Sequence, residues 1–240
     1  MIEHYVRLCE SVLSGPQGRG AREWLRARGL TDDTIQANRI GADPGRILLR
    51  RERGLPYGSD AAAVLPALDP SGRVVYVQAR YLDPDVTGRK YDNPSAALAP
   101  HPRLAYPAPN GERGEVLLVC EGLPDALIAS QMGFRAVALL GAQTPDQSVA
   151  SRLANFASEH GLAIAIAADS DPAGHRLTAT LTELLRQRNV DAVSVTPPEG
   201  LDLNAWALVD PSWHDWIDRA IHPTPTVEIA DELEIDCIDL

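Results

Sequence analysis

Cysteine is scarce: Cys9, Cys120 and Cys237 are scattered, odd in number and form neither a Cys-x-x-Cys pair nor a zinc pattern. A reducing compartment is expected. No apolar run approaches membrane-spanning length, and the opening Met-Ile-Glu-His-Tyr lacks the basic and apolar regions of a signal peptide. These absences predict a soluble, cytoplasmic chain with no membrane partner. Lysine is nearly missing, with Lys90 alone. The glycines at 15, 18 and 20 make no phosphate loop, because no strand precedes them and no Gly-Lys-Ser/Thr follows. They read as a turn. His175 has no second histidine at metal spacing and reads as a surface residue. No internal repeat is apparent.

What is present suffices for one large domain or two small ones: 240 residues, 45% of them apolar. The net charge of −11 is unevenly spread. Residues 1–113 carry 16 Arg and Lys against 13 Asp and Glu, whereas residues 114–240 carry 6 against 20. An acidic half suited to metal is thus joined to an arginine-bearing half suited to phosphate.

The acidic half holds two short, charge-free apolar runs, Val116 to Cys120 and Ala163 to Ala168, which read as strands buried on both faces of a parallel sheet. The first delivers Glu121-Gly122 with Asp125 following, and the second delivers Asp169-Ser170-Asp171. In open α/β sheets the ligand site lies beyond the carboxyl ends of the strands, so neighbouring strands would gather Glu121, Asp169 and Asp171 in one crevice. Such a group needs neutralising, and an oxygen-only donor set favours magnesium or manganese over zinc. Further strands are predicted at 135–140 and 191–195, with helices at about 123–132, 146–159, 172–188 and 203–209. The alternation means βαβ units.

The first half reads as a helix over 1–14, a second from Ala21 to Arg28, and a third capped by Thr31 with Asp32 and Asp33 in its first turn. A short strand is predicted from Ile47 to Arg53, amid Arg46, Arg50, Arg51 and Arg53. Those arginines are a solvated face or a phosphate patch. Val64 to Leu68 and Arg73 to Leu82 read as a β-hairpin, with Val74, Tyr76, Gln78 and Arg80 sharing one face. Asp83 to Arg89 reads as a loop, and Pro100 to Pro109 as an extended link between the halves. Residues 223–240, with six acids and no base, read as a mobile acidic tail or a docking peptide. The predicted organisation is an α+β unit over 1–109, an α/β catalytic domain over 110–222 and the tail.

Glu121-Gly122 after one strand, Asp169-Ser170-Asp171-Pro172-Ala173-Gly174 after another, and Gly200-Leu201-Asp202-Leu203-Asn204 further on resemble the Toprim domain of bacterial DnaG-type primases, topoisomerases and several nucleases. The Asp-x-Asp-x-Ala-Gly form looks like the primase branch. Trp24-Leu25-Arg26-Ala27-Arg28-Gly29-Leu30 and Lys90-Tyr91-Asp92-Asn93 resemble two further segments of the primase core. The resemblance implies a Toprim fold, a parallel sheet with flanking helices, preceded by a smaller α+β basal subdomain. It implies that Glu121, Asp169 and Asp171 are catalytic and hold metal with Asp202; Asn204 and Gly122 are further candidates, and Asp125, one turn into a helix, is either another or only satisfies the helix dipole. Asn204 stands where many primases have a second Asp. Arg80, Lys90, Tyr91 and Asn93 would contact nucleotide or template, joined by Arg50 and Arg51.

The function so implied is synthesis of short RNA primers on single-stranded DNA from nucleoside triphosphates, with magnesium or manganese. The family's zinc-binding module and Walker A helicase have no counterpart in these residues, so a replicative helicase or a zinc-binding accessory protein in trans is the expected partner. A Toprim nuclease would use the same carboxylates with water as nucleophile. A non-catalytic module that binds nucleic acid or a helicase is the third reading.

Overall fold

The computed structural model describes residues 1–111, 115–141 and 143–222. The chain opens with helix α1 (Ile2–Ser14), a single 3-10 turn (Pro16–Gly18), α2 (Arg19–Ala27) and α3 (Asp32–Ala37). Thr31 caps α3 by accepting the Thr34 N–H, as its position before Asp32 and Asp33 predicts. A four-stranded antiparallel sheet follows, built from β1 (Gly41–Asp43), β2 (Ala62–Leu68), β3 (Val74–Tyr81) and β4 (Tyr91–Asp92) in that spatial order. Pro66 sits inside β2, opposite Val77, yet β1 pairs only as far as Val64. The proline's missing N–H therefore falls where no strand needs it.

The hairpin of β2 and β3 matches the sequence reading, whereas three other segments differ. Ile47 to Arg53 is not a strand: Leu48 and Leu49 donate back to the Gly45 carbonyl in a tight turn. Strand β1 carries no apolar run, and its Gly41 lies where a Cβ would strike the Cys9 backbone of α1. Packing rather than pattern defines it. The loop after β3 contains one helical turn, α4 (Pro84–Thr87), capped by the Asp83 side chain.

The second sheet contains β5 (Leu104–Ala105), β6 (Val116–Cys120), β7 (Arg135–Leu139), β8 (Ala163–Ala167) and β9 (Ala192–Ser194), in spatial order β5-β7-β6-β8-β9. All neighbours are parallel except β5, which runs antiparallel to β7. The proline-rich stretch is therefore partly the edge of this sheet, with Leu104, Ala105 and Tyr106 buried. Helices α5 (Leu123–Gln131), α6 (Gln147–His160), α7 (Pro172–Arg186), α8 (Leu203–Val209) and α9 (Trp213–Ile221) complete the described residues. The last helix was not foreseen from the sequence, and residues 223–240, read as a tail, lie outside the described residues. Among the described residues no helix is long and apolar enough to cross a membrane.

Period-two alternation divides the core. Val116, Leu118 and Cys120 face one side with α5, α8 and α9, while Leu117 and Val119 face the other with α6 and α7. The first side is continuous with Leu25, Leu30, Leu65 and Tyr76 of the antiparallel half, so one hydrophobic core spans both sheets. Truncating the fully buried Leu118 to alanine is expected to destabilise by about 2–5 kcal/mol. From β6 the chain moves first to β7 on one side and then to β8 on the other, so the strand order reverses there. Ligand crevices form at such switch points, beyond the strands' carboxyl ends.

Candidate active site

Glu121 and Asp169 stand at that switch point, one following β6 and the other two residues past β8. The Asp169 N–H donates to Glu121 Oε2 at 3.2 Å, tying the two strand ends together. Gly174 of α7 packs against the backbone of Asp169 so closely that any Cβ would collide with it. The Ala-Gly step thus has a steric role in forming the Asp169 turn. Burial, and then the charges of Glu121, Asp202 and Asp171, push the Asp169 carboxyl up to about 6, with Lys90 opposing.

Asp125 lies in the first turn of α5, buried, with Oδ1 accepting the Asn204 N–H at 2.9 Å. Burial first, and the Asp202 charge second, raise its carboxyl to about 7. Gly122 precedes α5, and a Cβ there would stand 3.3 Å from Asp125 Oδ2. Asp202 caps α8, accepting the Ala205 N–H at 2.6 Å. Ser170, which the sequence reading did not single out, pins this region: its hydroxyl lies 3.1 Å from the Pro198 carbonyl and accepts the Gly200 N–H at 2.9 Å.

Asp171 is arranged differently. It is exposed and caps α7, accepting the Ala173 and Gly174 N–H groups at 2.7 and 2.8 Å, bonds that hold its carboxyl below the usual range. It is absent from the cleft lining.

The opposing wall comes from the antiparallel half. Arg28, at the end of α2, lies over the Trp24 ring at 4.4 Å and donates to Asn204. Arg80 of β3 sits 5.9 Å from the Trp24 ring and 5.1 Å from that of Tyr91, and its Nη1 donates to the Lys90 carbonyl. Arg28, Arg80, Lys90 and Tyr91 together face Glu121, Gly122, Asp125, Asp169 and Asp202 across a cleft of about 190 Å³. Arg28 was not among the predicted site residues, although the Trp-Leu-x-x-Arg-Gly-Leu segment contained it.

The remaining predicted contacts lie elsewhere. Asn93 is exposed and does not line the cleft. Arg50 is exposed beside α1, in a groove with Met1, His4 and Leu8. Arg51, read from the sequence as a template contact, lies with its guanidinium buried against Asp43, Nη2 2.8 Å from Oδ1. Tyr5 also donates to Asp43, at 2.6 Å.

Among the described residues, His214, Asp215 and Asp218 are the group whose ligand atoms all fall within 4.8 Å of one another. No three of the cleft carboxylates, among the described residues, meet that limit. Oxygen donors alone, with two carboxyls raised first by burial and then by neighbouring acids, fit a hard cation such as magnesium.

The Toprim-like family matches residues 118–207, the stretch carrying every one of these acids. Over about nine-tenths of the chain the fold is similar to that of DnaG catalytic cores. The E. coli primase catalytic core superposes with a TM-score of 0.68 at 20% identity, over 90% of this chain and 78% of that one. The RNA polymerase domain of Mycobacterium tuberculosis primase DnaG gives 0.72 at 18% identity, over 91% and 81%. A DnaG primase catalytic domain bound to single-stranded DNA gives 0.70 at 20% identity, over 91% and 79%. No curated protein sequence matches the chain.

Proposed function

We propose that this protein is a primase-type nucleotidyltransferase that builds short RNA primers on single-stranded DNA from nucleoside triphosphates. The observation that carries the reading is the opposition, in one cleft, of Glu121, Asp169 and Asp202 to Arg28, Arg80 and Lys90. Carboxylates alone suit many metal sites. Carboxylates facing three cations suit a ligand that brings both a metal and several phosphates.

Glu121, Asp169 and Asp202 would hold magnesium or manganese, which when bound neutralises phosphate charge and activates an attacking hydroxyl. Arg28, Arg80 and Lys90 grip the triphosphate of the incoming nucleotide from the opposite wall. Trp24 and Tyr91 flank Arg80 and fix the direction of its guanidinium. Asp171 shapes the site through the α7 cap and its charge on Asp169. The remaining arginines of the first half would follow a template backbone with little sequence preference. Loading by a helicase or a zinc-binding protein in trans belongs to the same reading.

The test is de novo synthesis of labelled oligonucleotides on unprimed single-stranded DNA with magnesium or manganese, comparing wild type with Glu121→Gln and Asp169→Asn. Short products from wild type alone support the reading. Template shortening that both substitutions abolish would replace it with a nuclease, and neither activity would leave a binding module.

A further inference from the structure

Glu121 borders two depressions. Besides the cleft, it forms part of a groove of about 440 Å³ walled by Arg176, Leu177 and Thr180 of α7 and by Thr144 before α6. The two spaces have Glu121 in common and no cation in common. Arg176 is exposed, and its charge is felt by Asp171 near the start of the same helix. It has no role in the reading given so far.

De novo priming needs a second nucleotide site. The 3′-oxygen of one nucleotide bonds to the α-phosphorus of another, and the bond from that phosphorus to the β-phosphate oxygen breaks. Pyrophosphate leaves with the electron pair, and the hydroxyl proton passes to water. The two nucleotides therefore lie on either side of the carboxylates. Pockets for one ligand of this size run to about 300–1,000 Å³. The cleft, at about 190 Å³, takes the phosphates of one nucleotide and has no room for another. The groove across Glu121 has room for one.

We propose that this groove seats the initiating nucleotide, the one that supplies the 3′-hydroxyl. Arg176 pairs with its phosphates, Thr144 and Thr180 offer hydroxyls to phosphate or ribose, and Leu177 gives an apolar contact. The charge distribution agrees. Three cations face the triphosphate that is attacked, while one faces the nucleotide whose phosphates do not react. Once the primer has grown, the same arginine meets a single phosphodiester charge. The inference rests on the priming reading.

The test is equilibrium binding of GTP bearing an α,β-methylene bridge, with magnesium, to the full chain. Wild type is expected to bind two molecules per chain. Arg176→Ala should weaken one site about tenfold or more and spare the other, Arg80→Ala should do the reverse, and Arg176→Lys should restore part of the loss. In dinucleotide synthesis Arg176→Ala should raise KM for the initiating nucleotide and not for the incoming one. Unchanged thermal melting of Arg176→Ala shows that folding is not the cause. One site per chain, or two sites indifferent to Arg176, overturns the proposal. Two sites with Arg176 dependence but no dinucleotide from wild type would keep the groove as a nucleotide site and overturn both its role in initiation and the priming reading.

Discussion

Asn204 and Arg28 grip each other through both ends of one amide: Arg28 Nη1 donates to Asn204 Oδ1 at 3.1 Å, and Asn204 Nδ2 donates to the Arg28 carbonyl at 2.8 Å. Asn204 is 2% exposed, and its own N–H is taken by Asp125. A carboxylate here could accept from the guanidinium but could not donate to the carbonyl. The departure from Asp at this position therefore has a physical reason. The side chain ties the basic wall of the cleft to the acidic one.

Removing that tie should loosen the whole site. Asn204→Ala is expected to destabilise by about 1–3 kcal/mol, because buried partners are left unsatisfied. For a chain of this size that is about 2–4 °C of melting temperature per kcal/mol. Asn204→Asp should melt lower at pH 8 than at pH 5, since it adds a charge beside Asp125 and Asp202. Equal melting of the alanine variant and wild type would show that the tie contributes nothing.

Asp125 sets a pH dependence of opposite sign to that of a paired carboxylate. Its folded value of about 7 lies above the unfolded value of about 4. Between the two the folded state holds a proton that the unfolded state has released, so stability falls as pH rises through that window. Asp169, raised to about 6, acts in the same direction. In EDTA, Asp125→Asn should therefore melt higher than wild type at pH 8, with the difference shrinking towards pH 4. The asparagine oxygen can still accept the Asn204 N–H, so lower melting at pH 8 would contradict the argument.

The legible parts of the sequence were those that local chemistry determines. Charge-free runs ending in acids marked β6 and β8, and the site at their carboxyl ends followed from the parallel sheet alone. The hairpin and the Thr31 cap were likewise local. What stayed hidden depended on distant partners. Arg50 and Arg51 look alike in sequence, yet only Arg51 finds Asp43, which the fold brings to it. Arg28 gained its place through Asn204, 176 positions away. The Asp-x-Asp spelling suggested two equal ligands. Helix α7 made one of them a cap by offering Asp171 its first free N–H groups, while Asp169 remained in the cleft.

That inequality is measurable. A ligand at a hundred times its Kd stabilises by about 2.7 kcal/mol. Magnesium or manganese should therefore raise the melting temperature of wild type and fail to raise that of Asp169→Asn. Asp171→Ala should melt lower without metal, having lost the α7 cap, yet keep most of the metal-induced rise. An equal loss of the metal response in both variants would mean that Asp171 turns into the cleft when the ion binds.

The two neighbouring arginines make the last comparison. Arg51 is 8% exposed along its side chain and Asp43 0%, so Arg51→Ala strands a buried carboxylate that, among the described residues, keeps Tyr5 and the Gly45 N–H for company. Breaking a buried pair on one side costs about 3–5 kcal/mol. Arg50→Ala removes an exposed cation and should leave the unfolding midpoint within error of wild type. Urea denaturation separates the two. Fluorescence anisotropy with a single-stranded oligonucleotide, run well below the melting temperature, then asks whether either arginine meets nucleic acid. Arg51→Ala should bind as wild type does once folded. A variant at position 51 that kept full stability and lost DNA affinity would mean that the Asp43 pair opens in solution and that the guanidinium serves the template after all.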